Sequence, residues 1–155
     1  MAARIVSFRE GNGPIQTTAE LAAVIAAAVS RPGRGKHRHP AARWLMAIRV
    51  AVNDELGELR RALRTATEVL QPAQGRLVVL SWAGHEHRLV RRELRSLQNP
   101  CTCPPALPCV CGRQPLLALL TGKPLAPEQE EVSRNPASRS CRLHAARALG
   151  TGQQE

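Results

Sequence analysis

The stretch CTCPPALPCVCG, residues 101–112, holds four of the chain's five cysteines, with three prolines between the two pairs. Four thiolates can close a tetrahedral zinc site, but the ligands of each pair are usually two to four residues apart. Here a single residue separates Cys101 from Cys103 and Cys109 from Cys111. That spacing makes it hard for both sulfurs of a pair to point at one ion. It therefore favours a loop of paired thiols with no metal, and Cys101, Cys103, Cys109 and Cys111 are the ligands should a metal be held. Two histidines, His37 and His39, lie in the basic stretch SRPGRGKHRHP, where no acidic or thiol neighbour would complete a metal site. They read as solvated imidazoles.

The elements that must position such groups follow from periodicity. TTAELAAVIAAAV, 17–29, reads as a helix capped by Thr17 or Thr18, with Glu20 spaced from Thr17 as in a capping box. From Pro40 the apolar residues Leu45, Ile48, Val52, Leu56, Leu59, Leu63, Ala66 and Leu70 step by three or four. This predicts one long amphipathic helix of about seven turns. Met46, Arg49, Asn53 and Arg60 run along one edge of the stripe, where polar groups can face a cleft. Arg49 and Asn53 would serve equally as a helix-boundary hydrogen-bonding pair.

RLVVLSW, 76–82, is a continuous apolar run, which predicts a strand covered on both faces, as in a parallel sheet. HEHRLVRRELRSLQ then predicts a helix with Leu89, Val90, Leu94 and Leu97 on one side. A final strand is expected in LLALLTGKPLAP. After it come a helix, a bend at Pro136 and a basic helical tail. The order helix, strand, helix is one unit of an α/β sandwich. With only two good strands, the chain reads as the second half of an α/β domain.

Composition agrees. At 155 residues the chain has room for about one domain. Its hydrophobic content of 43% includes one Phe, two Trp and no Tyr, which favours helices on a small sheet over a β-sandwich. Twenty-two basic against 12 acidic residues give +10, as expected for a polyanionic partner such as RNA, or of codons rich in G and C. No run approaches the ~18 apolar residues of a membrane span. Arg4, Arg9 and Glu10 interrupt any signal-peptide core, and the odd cysteine count argues for reduced thiols in a cytoplasm.

PIQTTAEL, HPAARWLMAIRVAVNDELGELRRAL, GRLVVLSW with its following E-x-R-L-V-R-R, CTCPP…CVCG, TGKPLAPEQEE and NPASRSCRLHAA follow one another along the chain. In that order they resemble the C-terminal half of the MraW/RsmH family, bacterial S-adenosylmethionine-dependent methyltransferases of a cytosine N4 in 16S ribosomal RNA. The resemblance implies a partial Rossmann-like class I methyltransferase fold, late strands and helices only. Residues 1–39 would end an inserted helical, substrate-recognition domain and 40–150 would form the C-terminal half of the methyltransferase domain. It implies 16S rRNA and the small ribosomal subunit as partners. It also makes the cysteine loop a connection between late elements of a family without zinc.

Departures qualify what is implied. The family's glycine-rich turn, its ribose-holding acidic residue and its Asp-Leu-Gly segment are not in these residues, and GNGP at 11–14 neither follows a strand nor opens a helix. Binding of S-adenosylmethionine by this chain alone is therefore not expected, and exposed apolar surface would favour self-association. Where the family has Phe-His-Ser-Leu-Glu-Asp-Arg, this chain has Trp82, Ala83, Gly84, His85, Glu86, His87 and Arg88. Trp44, Leu45 and Met46 stand for Thr-Phe-Gln, and PAQG is one residue longer than PGG. Arg49, Asn53, Ser81, Glu86 and Arg88 are the expected cleft-lining residues, and Arg139, Ser140 and Arg142 the phosphate-facing ones. Glu86 and Arg88 would also suit plain helix N-terminal charges. The leading expectation is a partial rRNA methyltransferase, inactive as an isolated chain. The alternative is a non-catalytic RNA-binding module derived from that family, and a small zinc-dependent nucleic-acid binder would rest on the cysteine loop alone.

Overall fold

The computed structural model describes residues 1–29, 39–104, 106 and 108–150, so His37 lies outside the described residues. The chain divides into two units, Met1–Glu55 and Leu56–Glu155.

The first unit is helical. Helix α1 (Ala2–Asn12) has no counterpart in the sequence reading, since AARIVSFREGN lacks a clean apolar stripe. It stops at Gly13, whose φ of 87° only glycine adopts freely, with the Gly13 N–H donating to Arg9 O. Helix α2 (Thr18–Ala28) begins as the capping box predicts. The Thr17 hydroxyl oxygen accepts the Glu20 N–H at 3.1 Å, and the Glu20 carboxylate reaches back to the Gln16 N–H at 2.8 Å. Ile25 is its fully buried residue. His39 accepts the Ala41 N–H on Nδ1, a turn contact that fixes the entry to the next helix.

The expected seven-turn helix is instead two, α3 (Ala42–Val52) and α4 (Glu55–Val69). The break falls at Asp54, whose φ of 49° is left-handed. Asn and Asp tolerate that region because their short side chains bond locally, so two such residues in succession can end a helix that periodicity would continue. Arg49 spans the break with an ion pair to Glu55, Nε to Oε1 at 2.8 Å. The stripe is correspondingly bare in α3, where Ile48 and Val52 are exposed.

The second unit packs α4 and α5 (Gly84–Gln98) on a three-stranded sheet. The strands are β1 (Arg76–Ser81), β2 (Leu117–Leu119) and β3 (Arg142–Ala148), in the order β1-β3-β2. Both pairings are antiparallel, with Val79 opposite His144 and Leu117 opposite Ala148. Leu63 of α4, Val90 and Leu94 of α5, and Leu117, Ala146 and Ala148 of the sheet form the core. Glu93 ties the helices across this core, its nine-tenths buried carboxylate 3.1 Å from Arg60 Nε. Helix α6 (Gln129–Arg134) and a 3₁₀ turn (Pro136–Ser140) lead into β3.

Two expectations are corrected here. The tail after Pro136 is a strand: RLHAARA has the alphabet of a helix, but His144, Ala146 and Ala148 alternate inward as in a sheet. Packing against β1 and β2 overrides the helical propensity of Ala and Arg. The β1 run is covered on one face only, since Val78 and Leu80 on the other face are 58% and 50% exposed. Its partner is antiparallel because β3 returns directly alongside it. At the start of β1, Gly75 is required: a Cβ there would lie 2.9 Å from Gln71 O and from Leu70 Cβ.

Candidate functional site at the end of β1

Ser81 is the last residue of β1 and is buried, while Trp82, Ala83 and Gly84 turn the chain into α5. That turn is held by Glu86. Its Oε2 accepts the N–H groups of Trp82 at 2.9 Å and Ala83 at 3.0 Å, two donors that a helix N-terminus otherwise leaves unpaired. Burial pushes the Glu86 carboxyl up, but these two bonds and the neighbouring charges of His85 and His87 outweigh it, leaving the carboxyl below its ordinary value. Glu86 is thus engaged in building the turn, the plainer of its two expected roles.

One turn on, His87 joins three elements. Its Nδ1 lies 2.5 Å from Ser81 Oγ and its Nε2 3.2 Å from the Ser140 carbonyl oxygen. A carbonyl can only accept, so neutral His87 carries its proton on Nε2, and the Ser81 hydroxyl donates to Nδ1. Behind this pair His144 is 4% exposed, its ring centroid 6.4 Å from that of His87. Burial pushes the His144 imidazolium down, helped by the positive charges of His87 and Arg91.

The other expected residues are dispersed. Arg88 is exposed on α5, and Arg139 and Ser140 are exposed on the 3₁₀ turn. Arg142 is folded onto its own backbone, donating from Nη1 to Cys141 O at 2.6 Å and more weakly to Arg139 O. Arg49 is committed to Glu55, and Asn53 caps α3 from an exposed position in the helical unit. Sequence reasoning gave His85 and His87 only as residues of the altered Trp82–Arg88 segment. It gave no role to His87, whose only signal is its place one turn into a helix that starts beside Ser81. A groove of about 590 Å³ lies between α1 and α2, but none of these residues lines it.

The four cysteines of the loop lie together. Its base is closed by the Leu116 N–H to Leu97 O bond at 2.9 Å. The sulfurs of Cys101, Cys103, Cys109 and Cys111 all lie within 4.8 Å of one another, with Cys101 to Cys109 at 3.4 Å and Cys109 to Cys111 at 3.6 Å. The sulfurs of each pair thus lie close together despite the single intervening residue. A backbone N–H from Arg113, with the Cys109 and Cys101 thiols, lowers Cys111 to about 6. Cys101, despite the Cys103 N–H, is raised to about 11, chiefly by the Cys109 and Cys111 thiols.

These features can be set beside known proteins. The model of the MraW methylase family matches residues 1–149. The chain belongs to that family. It is 46% identical over 150 residues to a ribosomal RNA small subunit methyltransferase H of Geotalea uraniireducens, covering 96% of this chain and 47% of that protein. The enzyme of the same name from Symbiobacterium thermophilum is 44% identical over 157 residues, covering 99% of this chain and 49% of its own length. That of Thermomicrobium roseum is 43% identical over 148 residues, 95% of this chain and 44% of the relative. The chain spans about half the length of the curated relatives it matches, their C-terminal part. The mixed fold with a small antiparallel sheet agrees with part of a methyltransferase domain.

The described residues do not fit the family's methyl donor. Gly11 and Gly13 end a helix and do not form a turn after a strand. At the one strand-to-helix turn that opens a long helix, the Glu86 carboxylate already takes the backbone donors that an anionic cofactor group would need. Among the described residues, no helix is long and apolar enough to cross a membrane.

Proposed function

We propose that this chain supplies the C-terminal part of an S-adenosylmethionine-dependent methyltransferase acting on a cytosine N4 of 16S rRNA, in the cytoplasm. The observation that carries this reading is the match across residues 1–149 to the MraW methylase family. In this reading residues 1–39 end an inserted helical domain and 40–150 belong to the methyltransferase domain. The methyl donor is held by residues other than those described. Transfer to an exocyclic amine needs alignment above all, plus a group to take one proton. In this reading the partly exposed His87 imidazole, oriented by Ser81 and the Ser140 carbonyl, is the candidate for that group. Arg88, Arg139 and Ser140 lie toward the RNA phosphates.

The outer face of β1, with Val78, Leu80 and Trp82 half exposed, is where an N-terminal half of a family member packs. Its coverage of half the length of its relatives supports this occupant. The test mixes the 155-residue chain with a separately expressed N-terminal half from a related enzyme, small ribosomal subunits and methyl-labelled donor. Label in rRNA only when both halves are present supports the reading. Micromolar one-site binding of S-adenosylmethionine to this chain alone would overturn the division of labour.

The second reading is a non-catalytic RNA-binding module. It is favoured by the loss of the family's His, Ser and Asp to Ala83, Gly84 and His87. Salt-sensitive RNA binding with no label transfer in the mixed assay would select it.

A further inference from the structure

We propose that Cys101, Cys103, Cys109 and Cys111 form a tetrathiolate site for one Zn²⁺ ion that clamps the loop between α5 and β2. The inference is independent of the methyltransferase reading.

Geometry carries it. Zinc–sulfur bonds of about 2.3 Å directed to a tetrahedron place neighbouring sulfurs about 3.8 Å apart. The four sulfurs here lie within 4.8 Å of one another, and the two closest pairs are at 3.4 and 3.6 Å. Disulfide bonding demands about 2.05 Å, and all five cysteines are free thiols. Iron–sulfur clusters interpose several atoms between their cysteine sulfurs and need them farther apart than a single ion does. So a single tetrahedral ion fits, and soft thiolates select a thiophilic one. Zinc adds no redox chemistry to a loop that has no other group to use it.

The loop also needs such a clamp. Among the described residues between Gln98 and Leu117 none is buried, and Val110 is 89% exposed, yet the loop must deliver Leu117, fully buried, to the sheet. Long connections without secondary structure are uncommon in compact domains unless something orders them. The hydrogen bonds at its base, Leu116 N–H to Leu97 O and Arg113 Nη1 to Pro100 O, hold the two ends. Zinc would tie the middle to the ends, with Arg113 offsetting part of the site's net negative charge. Metal binding then contributes directly to folding, because the unfolded chain has no such site.

Purification of the untagged 155-residue chain from zinc-supplemented cells under reducing conditions, followed by elemental analysis, tests this. One zinc per chain is expected. Cys103→Ser and Cys109→Ser each reduce it to near zero, while Cys141→Ser leaves it at one. Because a loop variant can fail to fold, the unaltered chain gives a second readout. Its fast-reacting thiols should number one before strong chelation and five after it, and Co²⁺ reconstitution should give the intense red-region absorption of a tetrahedral thiolate site. Five reactive thiols at the outset, a mass showing two disulfides, iron in place of zinc, or zinc retained in Cys109→Ser would each overturn the proposal.

Discussion

Replacing Glu86 separates its two readings, a residue of the reacting site and a builder of the turn after β1. Both N–H bonds go to one oxygen, Oε2, at 2.9 Å from Trp82 and 3.0 Å from Ala83. Glu86→Gln can therefore keep both acceptor contacts through its amide oxygen and lose only the charge. That loss is worth about 0.3–1 kcal/mol at a helix N-terminus. Glu86→Ala loses the acceptor as well and should cost about 1–2 kcal/mol, in the range of other cap deletions. The pH dependence follows from the direction of the shift. The folded carboxyl titrates below its ordinary 4.5, so the charge stabilises fully above that value and the benefit fades as pH falls through the folded value. The gap between unaltered and Glu86→Gln chains should thus be open at neutral pH and close in acid. Urea denaturation followed by Trp82 fluorescence, on the chain assembled with an N-terminal half, measures both. If Glu86→Gln leaves stability and its pH profile unchanged but abolishes methyl transfer by the assembled halves, the turn-building assignment is wrong.

Leu94→Ala removes a side chain that is 2% exposed at the centre of the α5–sheet core and should cost about 2–5 kcal/mol in the same denaturation assay. Glu93→Ala should cost about 1–3 kcal/mol, less than a fully buried pair because Arg60 is 40% exposed, with part of the loss removed by high salt. The folded imidazole of His144 titrates below 6.5, so its contribution is present above that pH and lost below it; His144→Phe should flatten the stability profile there. Val78→Thr with Leu80→Thr, on the outer face of β1, should raise the monomer fraction in size exclusion and weaken complementation by an N-terminal half.

Much of the architecture was legible because it rests on strong local signals. The Thr17–Glu20 box, the amphipathic face of α5 and the apolar run of β1 each satisfy a backbone or a core demand within a few residues. Two departures have the opposite origin. The break at Asp54 is a backbone event: apolar spacing runs on through it, and only the local tolerance of Asn53 and Asp54 for non-helical geometry ends the helix. The one-sided exposure of β1 is a context effect, since a continuous apolar run says that both faces can be covered, not which of them is.

A further miss comes from a period of two hidden by residue types that usually signal something else. In β3, Arg142, Leu143, Ala145 and Arg147 belong to the helical alphabet, and the inward alternation of His144, Ala146 and Ala148 becomes visible only once β1 and β2 flank it. In the cysteine loop, the single-residue spacing within each pair does not report how close the sulfurs come in space. Cys109 and Cys111 present their sulfurs together, 3.6 Å apart, with the sulfur of Cys101 3.4 Å from that of Cys109. The strand end follows a related logic. Ser81 faces the helix layer by strand alternation, and His87 comes back to it one turn into α5, so the pair six residues apart in sequence meets at hydrogen-bonding distance. A residue's partner here is set by which periodicity governs its segment, and that is decided by what packs against the segment.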